Sequence, residues 1–250
     1  MLYFLQKMKV LIFIYEWCVF APIFILLSAL AAIITIIGCR IGNRDFWGYW
    51  PAHFWARATC WMCFCPVTVE GRENIDPKTS YIFVANHQSA FDIFSIYGFL
   101  NHNFKWLLRK EIHGIFLVGP ACSAAGHIWV DAHGATGLLS TMKQCLSTLH
   151  HGMSLVVFPE GTRTKTGKLG RWKKGAFELA ALVKLPVVPM TIENAFDIMP
   201  KGTLVFHPRR LKITIHKPLE PITKAEGKEA GIERLMKESR SIIARQLGEE

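Results

Sequence analysis

Apolar positions along this chain follow two regimes. From Val19 to Cys39 no charge interrupts the run, and carrying it back to Val10 adds only Glu16. As a helix this stretch spans a hydrocarbon core of about 30 Å, with Pro22 tolerated near its start. No small-residue cleavage site accompanies it, so a retained anchor is expected rather than a removed signal. A buried core helix is the alternative. Asp45 to Phe64 then crowds Trp47, Tyr49, Trp50, Phe54, Trp55, Trp61 and Phe64 together, with Arg44, His53 and Arg57 nearby. Aromatic and basic residues in this mixture suit the headgroup layer of a membrane. The expectation is a second helix lying in or dipping into that layer, making an N-terminal hydrophobic two-helix membrane motif over residues 1–65. A core helix of the main domain is the other reading of the same pattern.

After Pro66 the period changes. Short β-branched runs, Val67 to Gly71, Ser80 to Asn86, His127 to Asp131, Ser154 to Phe158, Val187 to Ile192 and Leu211 to His216, read as strands. Helical spacing lies between several of them, at Gly137 to His151 and Gly175 to Lys184. Ile232, Leu235, Met236, Ile242 and Ile243 place a last helix over Gly231 to Leu247. Strands alternating with helices, and strands apolar at nearly every position, predict an α/β domain over residues 66–250. Its mostly parallel β-sheet is covered by helices on both faces.

Composition sharpens this picture. Hydrophobic residues are 51% of the chain and charged residues 19%, which favours membrane contact over an ordinary soluble domain. The net charge of +10 calls for anionic partners. With an apolar anchor these are lipids or phosphorylated substrates, not nucleic acid. Basic flanks nearly balance across the first helix, Lys7 and Lys9 against Arg40 and Arg44, and do not orient it. Of seven cysteines, Cys60, Cys63 and Cys65 are clustered, yet no second pair follows at metal-ligand spacing. They read as apolar filler in a reducing compartment, with no metal expected.

Two segments carry candidate chemistry. In "VANHQSAFDIF", His87 follows an apolar strand, at the end where parallel sheets place ligands. Ser89 to Asp92 matches a capping box, so a helix should start near Ala90 with Asp92 in its first turn. That fold-back lets Asp92 bond one imidazole nitrogen and leave the other as a base; a mere helix cap is the plainer alternative. In the second segment, Val156 to Gly175, a strand meets the turn Pro159-Glu160-Gly161-Thr162-Arg163. Six basic residues run from Arg163 to Lys174 with no acidic one among them. Arg forks and Gly-exposed amides suit phosphate; a solvated basic loop fits equally.

Together these segments resemble the 1-acylglycerol-3-phosphate O-acyltransferase family. Its His-x-x-x-x-Asp hallmark stands as His87 to Asp92, and its Phe-Pro-Glu-Gly-Thr-Arg block as Phe158 to Arg163. "GRWKKGAFELA", "LPVVPMTI" with Pro189, and "VEGRENI" are similar to further blocks in the same order, so the likeness runs from about Val67 to His216. The resemblance implies transfer of a fatty acyl group from acyl-CoA or acyl-carrier protein to the free hydroxyl of 1-acylglycerol 3-phosphate, giving phosphatidic acid. His87 would be the general base, supported by Asp92. Glu160, Gly161, Thr162 and Arg163 would serve the acceptor, and no cofactor is implied beyond the acyl donor. It also implies a membrane location with the catalytic domain facing the cytoplasm. One block departs: Gly126 to Ala132 has Ala132 where the family has an arginine thought to hold the acceptor phosphate. His133, Arg109 and Lys110 are the residues placed to replace it; otherwise the acceptor is another lysolipid or glycerol 3-phosphate. Hydrolysis of the acyl donor, and a non-catalytic protein that grips anionic membranes, are the rival readings. The chain has no Gly-x-Ser-x-Gly elbow, which disfavours a serine hydrolase.

Overall fold

The computed structural model describes residues 10–130 and 134–249, and of residues 134–138 the backbone alone. The first apolar run forms one helix, α1 (Val10–Ile41), with a single π-turn at Glu16–Phe20. One side bares Ile25, Leu26, Ile33, Ile37 and Ile41. The other side is fastened to the rest of the chain along its length. Glu16 Oε1 accepts the Phe206 amide at 2.7 Å, Phe20 meets the Phe206 ring edge-on, and Phe24 packs between Trp55 and Phe94. Farther along, Ser28 Oγ accepts the Trp55 indole N–H at 2.9 Å, and Gly38 lies against Trp47. A Cβ at Gly38 would stand 2.5 Å from that indole, so only glycine lets the two elements approach so closely. The helix therefore lies along the flank of the domain.

The aromatic stretch forms two helices rather than one, α2 (Arg44–Trp47) and α3 (Trp50–Met62). The Asn43 side chain caps α2 by accepting the amides of Asp45 and Phe46. Pro51 sits in the first turn of α3, where its missing N–H costs nothing. The faces of α3 divide between the two readings of its sequence. His53, Ala56, Thr59 and Cys60 are buried on the domain, while Trp50, Phe54 and Trp61 remain exposed. Cys60, Cys63 and Cys65 are free, wholly buried thiols that fill this core. Among the described residues no group of three or more His, Cys, Asp or Glu is placed to hold a metal.

The sheet has seven strands: β1 (Val67–Glu70), β2 (Ile82–Ala85), β3 (Phe104–Arg109), β4 (Ile128–Val130), β5 (Ser154–Val157), β6 (Val187–Glu193) and β7 (Leu211–Ile215). Their spatial order is β1-β7-β6-β2-β5-β3-β4. All neighbours are parallel except β6 and β7. Strand β2 shows why both faces read as apolar. Ile82 and Val84 join one core, with residues of α7 (Gly175–Val183) and α8 (Lys228–Leu247). Phe83 and Ala85 join the other, with α3 and α4 (Phe91–Phe99). Six strands follow the sequence pattern. The seventh, β3, was not expected, because Lys105 and Arg109 break its apolar run. Lys105 is nonetheless buried, its ammonium 3.4 Å from Asp45, and a buried charge is tolerated when paired. Two helices complete the site's surroundings, α5 (Val118–Ala125), which no pattern announced, and α6 (Gly134–Thr148), which starts before the expected Gly137.

Candidate active site

Strands β2 and β5 are neighbours with Val84 opposite Val157. Continuing that register past the strand ends brings His87 level with Glu160, so the two chemistry-bearing segments meet although 73 residues separate them. Asn86 anchors the end of β2 sideways, exchanging both hydrogen bonds of its amide with the Ile192 backbone at 2.8 Å. The chain then turns into α4. The Asp92 carboxylate accepts the Ser89 amide at 2.8 Å, one half of the expected capping box, whereas Ser89 Oγ accepts the Phe91 amide, one residue short of the other half, and the helix cap falls on Ala90.

Asp92 also does what the fold-back suggested. Its Oδ2 takes His87 Nδ1–H at 2.9 Å and the Gln88 amide at 2.6 Å. Asp92 is fully buried, whereas 14% of the His87 side chain is exposed. With Nδ1 donating to a carboxylate, Nε2 carries the free lone pair. The imidazole lies flat on Phe158, ring centres 3.9 Å apart, and Phe158 in turn stacks on Trp106 at 5.6 Å. The ring is thus fixed in angle by stacking and in tautomer by Asp92.

Glu160 ties the second segment to the first. Its Oε1 accepts the His87 amide and its Oε2 the Gly170 amide, each at 2.9 Å. Burial raises its carboxyl above the ordinary range, while the His87 and Gly170 amides pull it back. The turn itself closes through the Gly161 amide to Phe158 O at 2.9 Å, with Gly161 at φ +71°. The Lys173 side chain lies over this glycine, since a Cβ there would meet Nζ at 3.1 Å. Lys201 Nζ donates to Thr162 Oγ1 at 2.7 Å and to Arg163 O at 3.2 Å.

His87 opens onto a cavity of about 1110 Å³. The wall is mostly apolar and comes from distant parts of the chain: Ala31 and Ala32 of α1, Ala52 and Trp55 of α3, Ala121 of α5, Leu179 of α7. Gly161, Thr162 and Lys173 border it, as do Arg109 and Lys110 at the end of β3. Of the sites expected from sequence, His87, Gly161, Thr162, Arg109 and Lys110 line the cavity, while Asp92 and Glu160 are joined to it through their bonds to His87. Arg163 stands outside the lining, its side chain half-buried. Arg109 reaches the cavity rim but is bonded to Glu111 at 2.8 Å. Ala132 and His133 lie outside the described residues. Lys173 was missed as an individual site, although it belongs to the basic run. Trp106 and Tyr97 were missed altogether, because neither stands in a motif. Cys122 also lines the cavity, with burial pushing its thiol up to about 11.

A profile of the acyltransferase family matches residues 66–193, and the chain belongs to that family. More particularly, it is 34% identical over 195 residues to a chloroplastic 1-acyl-sn-glycerol-3-phosphate acyltransferase of Arabidopsis thaliana, covering 77% of this chain and 52% of that one. A 1-acyl-sn-glycerol-3-phosphate acyltransferase of Helicobacter pylori is 30% identical over 164 residues, 65% of this chain and 69% of its own. The crystal structure of PlsC, the 1-acyl-sn-glycerophosphate (LPA) acyltransferase of Thermotoga maritima, superposes with a TM-score of 0.71 at 25% identity, over 90% of this chain and 95% of that chain. The chain spans 52% to 64% of the length of its plant and algal relatives.

Proposed function

We propose that this protein transfers a fatty acyl group from acyl-CoA or acyl-carrier protein to the free hydroxyl of 1-acylglycerol 3-phosphate, forming phosphatidic acid. The observation that carries the reading is the His87–Asp92 pair, 2.9 Å apart, at the mouth of an apolar cavity that a glycine turn and Lys173 also border. His87 Nε2 accepts the proton of the attacking hydroxyl, and Asp92 stabilises the imidazolium as it forms. The hydroxyl oxygen bonds to the thioester carbon. The C–S bond then breaks, and the thiol leaves with the proton that His87 returns. The oxyanion of the intermediate needs N–H donors; the Gly161 amide is already bonded to Phe158 O, so the backbone amides that follow it in the turn are the candidates.

Arg163, Lys173, Arg109 and Lys110 attract the acceptor phosphate, while Thr162 and Gly161 shape its approach. Glu160 holds the turn at its distance from His87 rather than touching substrate, since both its oxygens are already bonded to backbone. No covalent acyl-enzyme is required, because the thioester is already activated. The Cys122 thiol, pushed up to about 11, is a weak nucleophile at neutral pH. No resident cofactor enters the chemistry.

The acceptor and product are lipids, and the bare side of α1 gives the enzyme its membrane face. Because α1 is fastened to the domain from Glu16 to Gly38, we read it as lying in one leaflet with Ile25, Ile33 and Ile37 in hydrocarbon. Free thiols at Cys122 and Cys145 fit a catalytic domain in the reducing cytoplasm. The test is mass spectrometry of lipids made by the purified enzyme from one acyl donor and mixed acceptors: lysophosphatidate, other lysophospholipids and glycerol 3-phosphate. Phosphatidic acid as the main product supports the proposal. Free fatty acid, or an acylated product lacking phosphate, overturns it.

A further inference from the structure

Deep in the same cavity an apolar wall is interrupted by three polar groups that hold one another in a fixed order. The Trp106 amide donates to His127 Nδ1 at 3.2 Å, so His127 carries its proton on Nε2. Burial keeps this imidazole neutral, pushing it down to about 3. Its Nε2–H points at Tyr97 Oη, 2.8 Å away. The Tyr97 oxygen is therefore an acceptor in that bond, and its own hydroxyl proton has no acceptor among the described residues. Beside it stands the Trp106 indole N–H, on a side chain only 5% exposed; it faces the same Tyr97 oxygen without completing a hydrogen bond, and no other group among the described residues accepts from it. Tyr97, Trp106 and His127 all line the cavity.

Two unused donors in a dry, apolar space are costly unless something accepts from them. Two other polar lining groups are already satisfied: Ser28 Oγ donates to Phe24 O at 2.6 Å and accepts from Trp55, and Thr141 Oγ1 donates to Trp129 O at 3.1 Å. Trp106 is also close to the reacting end, one ring removed from His87 through Phe158, by stacking steps of 5.6 and 3.9 Å. A chain that enters past His87 runs by these donors early in its length.

We propose that the Trp106 indole N–H and the Tyr97 hydroxyl form a specificity site for acyl chains carrying an oxygen substituent, a hydroxyl or keto group, on the half nearer the thioester. The proposal rests on the acyl-transfer reading above. A plain chain leaves both donors bare, whereas an oxygenated chain satisfies at least one. His127 acts as a positioning residue by fixing the direction of the Tyr97 hydroxyl.

The test is competition between hexadecanoyl-CoA and its hydroxylated counterparts, with the hydroxyl moved along the chain, using the full-length enzyme and lysophosphatidate. Product ratios are read by mass spectrometry. At one hydroxyl position the wild type should favour the oxygenated donor by about tenfold, the size of one net hydrogen bond in a dry site. Trp106→Phe keeps the aromatic stack and Tyr97→Phe keeps the ring, and each should pull that ratio toward unity. Should one variant fail to fold, the other carries the test. Unchanged ratios in the variants, or a wild type that favours the plain chain at every position, overturn the specificity site while leaving acyl transfer intact. Absence of both products overturns the acyl-transfer reading, and this inference with it.

Discussion

Glu160 holds the backbone of His87: its Oε1 accepts the His87 amide at 2.9 Å while Oε2 accepts the Gly170 amide at the same distance. One carboxylate thereby joins the strand end that presents His87 to the loop that presents the cations. Glu160→Ala should leave two partly buried amides without their partner and destabilise the protein by about 1–3 kcal/mol, with loss of turnover beyond the loss of folded protein. Chemical denaturation alongside initial rates checks this. A variant that keeps wild-type rates would remove Glu160 from the alignment of the site.

The same residue makes stability depend on pH. Burial raises the Glu160 carboxyl above its ordinary 4.5. The folded state then holds this proton more tightly than the unfolded one, so its contribution is fully present below about 4.5 and declines as pH rises through the folded-state value. Glu160→Gln cannot titrate there. The stability advantage of wild type over this variant should therefore be largest in acid and shrink as the pH rises toward neutral. Denaturation midpoints measured across that range give the difference, and an advantage that grows with pH would contradict the burial effect.

Removing the base should be severe for rate and mild for folding. His87→Ala should lower turnover by at least about 10²–10⁴-fold, with the far-ultraviolet spectrum unchanged. Asp92→Asn should also lose turnover, and it should cost about 1 kcal/mol of stability because it weakens the cap on the Ser89 and Gln88 amides. Full activity in His87→Ala would end the proposed mechanism.

Cations at the turn should separate by function. Lys173 borders the cavity and Arg163 does not. Lys173→Ala should raise the acceptor KM by about tenfold or more, the loss of one charge-assisted contact, with the donor KM little changed. Arg163→Ala should act on the acceptor more weakly. Steady-state kinetics with each substrate varied in turn reads the split. Equal effects on both KM values would argue against a phosphate contact.

The membrane face is separable from the chemistry. Ile33→Glu with Ile37→Glu places two charges on the bare side of α1, away from the cavity wall. The double variant should lose co-sedimentation with vesicles containing phosphatidylglycerol yet retain activity on detergent-dispersed acceptor. Undiminished sedimentation would assign membrane contact to another surface. Gly38→Val tests the opposite side, where the new side chain collides with Trp47, and should destabilise by about 1–3 kcal/mol.

Much of this was written locally in the chain. The β-branched runs specified six of the strands because parallel strands buried on both faces need apolar side chains at every position, as Ile82 to Ala85 have. Ser89 and Asp92 specified the start of α4 because a cap involves only neighbours, and that same turn brought Asp92 under His87. Other features depend on partners remote in sequence. β3 was obscured by Lys105, which is acceptable there only because Asp45, sixty residues earlier, folds against it. The aromatic stretch split into α2 and α3, with the buried face of α3 chosen by its packing partners. The cavity, its lining by alanines of α1, the stack of His87 on Phe158 and Trp106, and the paired donors of Trp106 and Tyr97 follow from which surfaces meet. Local pattern thus determined most of the elements and the His87–Asp92 pair, because capping and strand alternation act over a few residues. Tertiary structure alone decided the space that the pair faces, because a void belongs to no single segment and exists only once distant ones have packed.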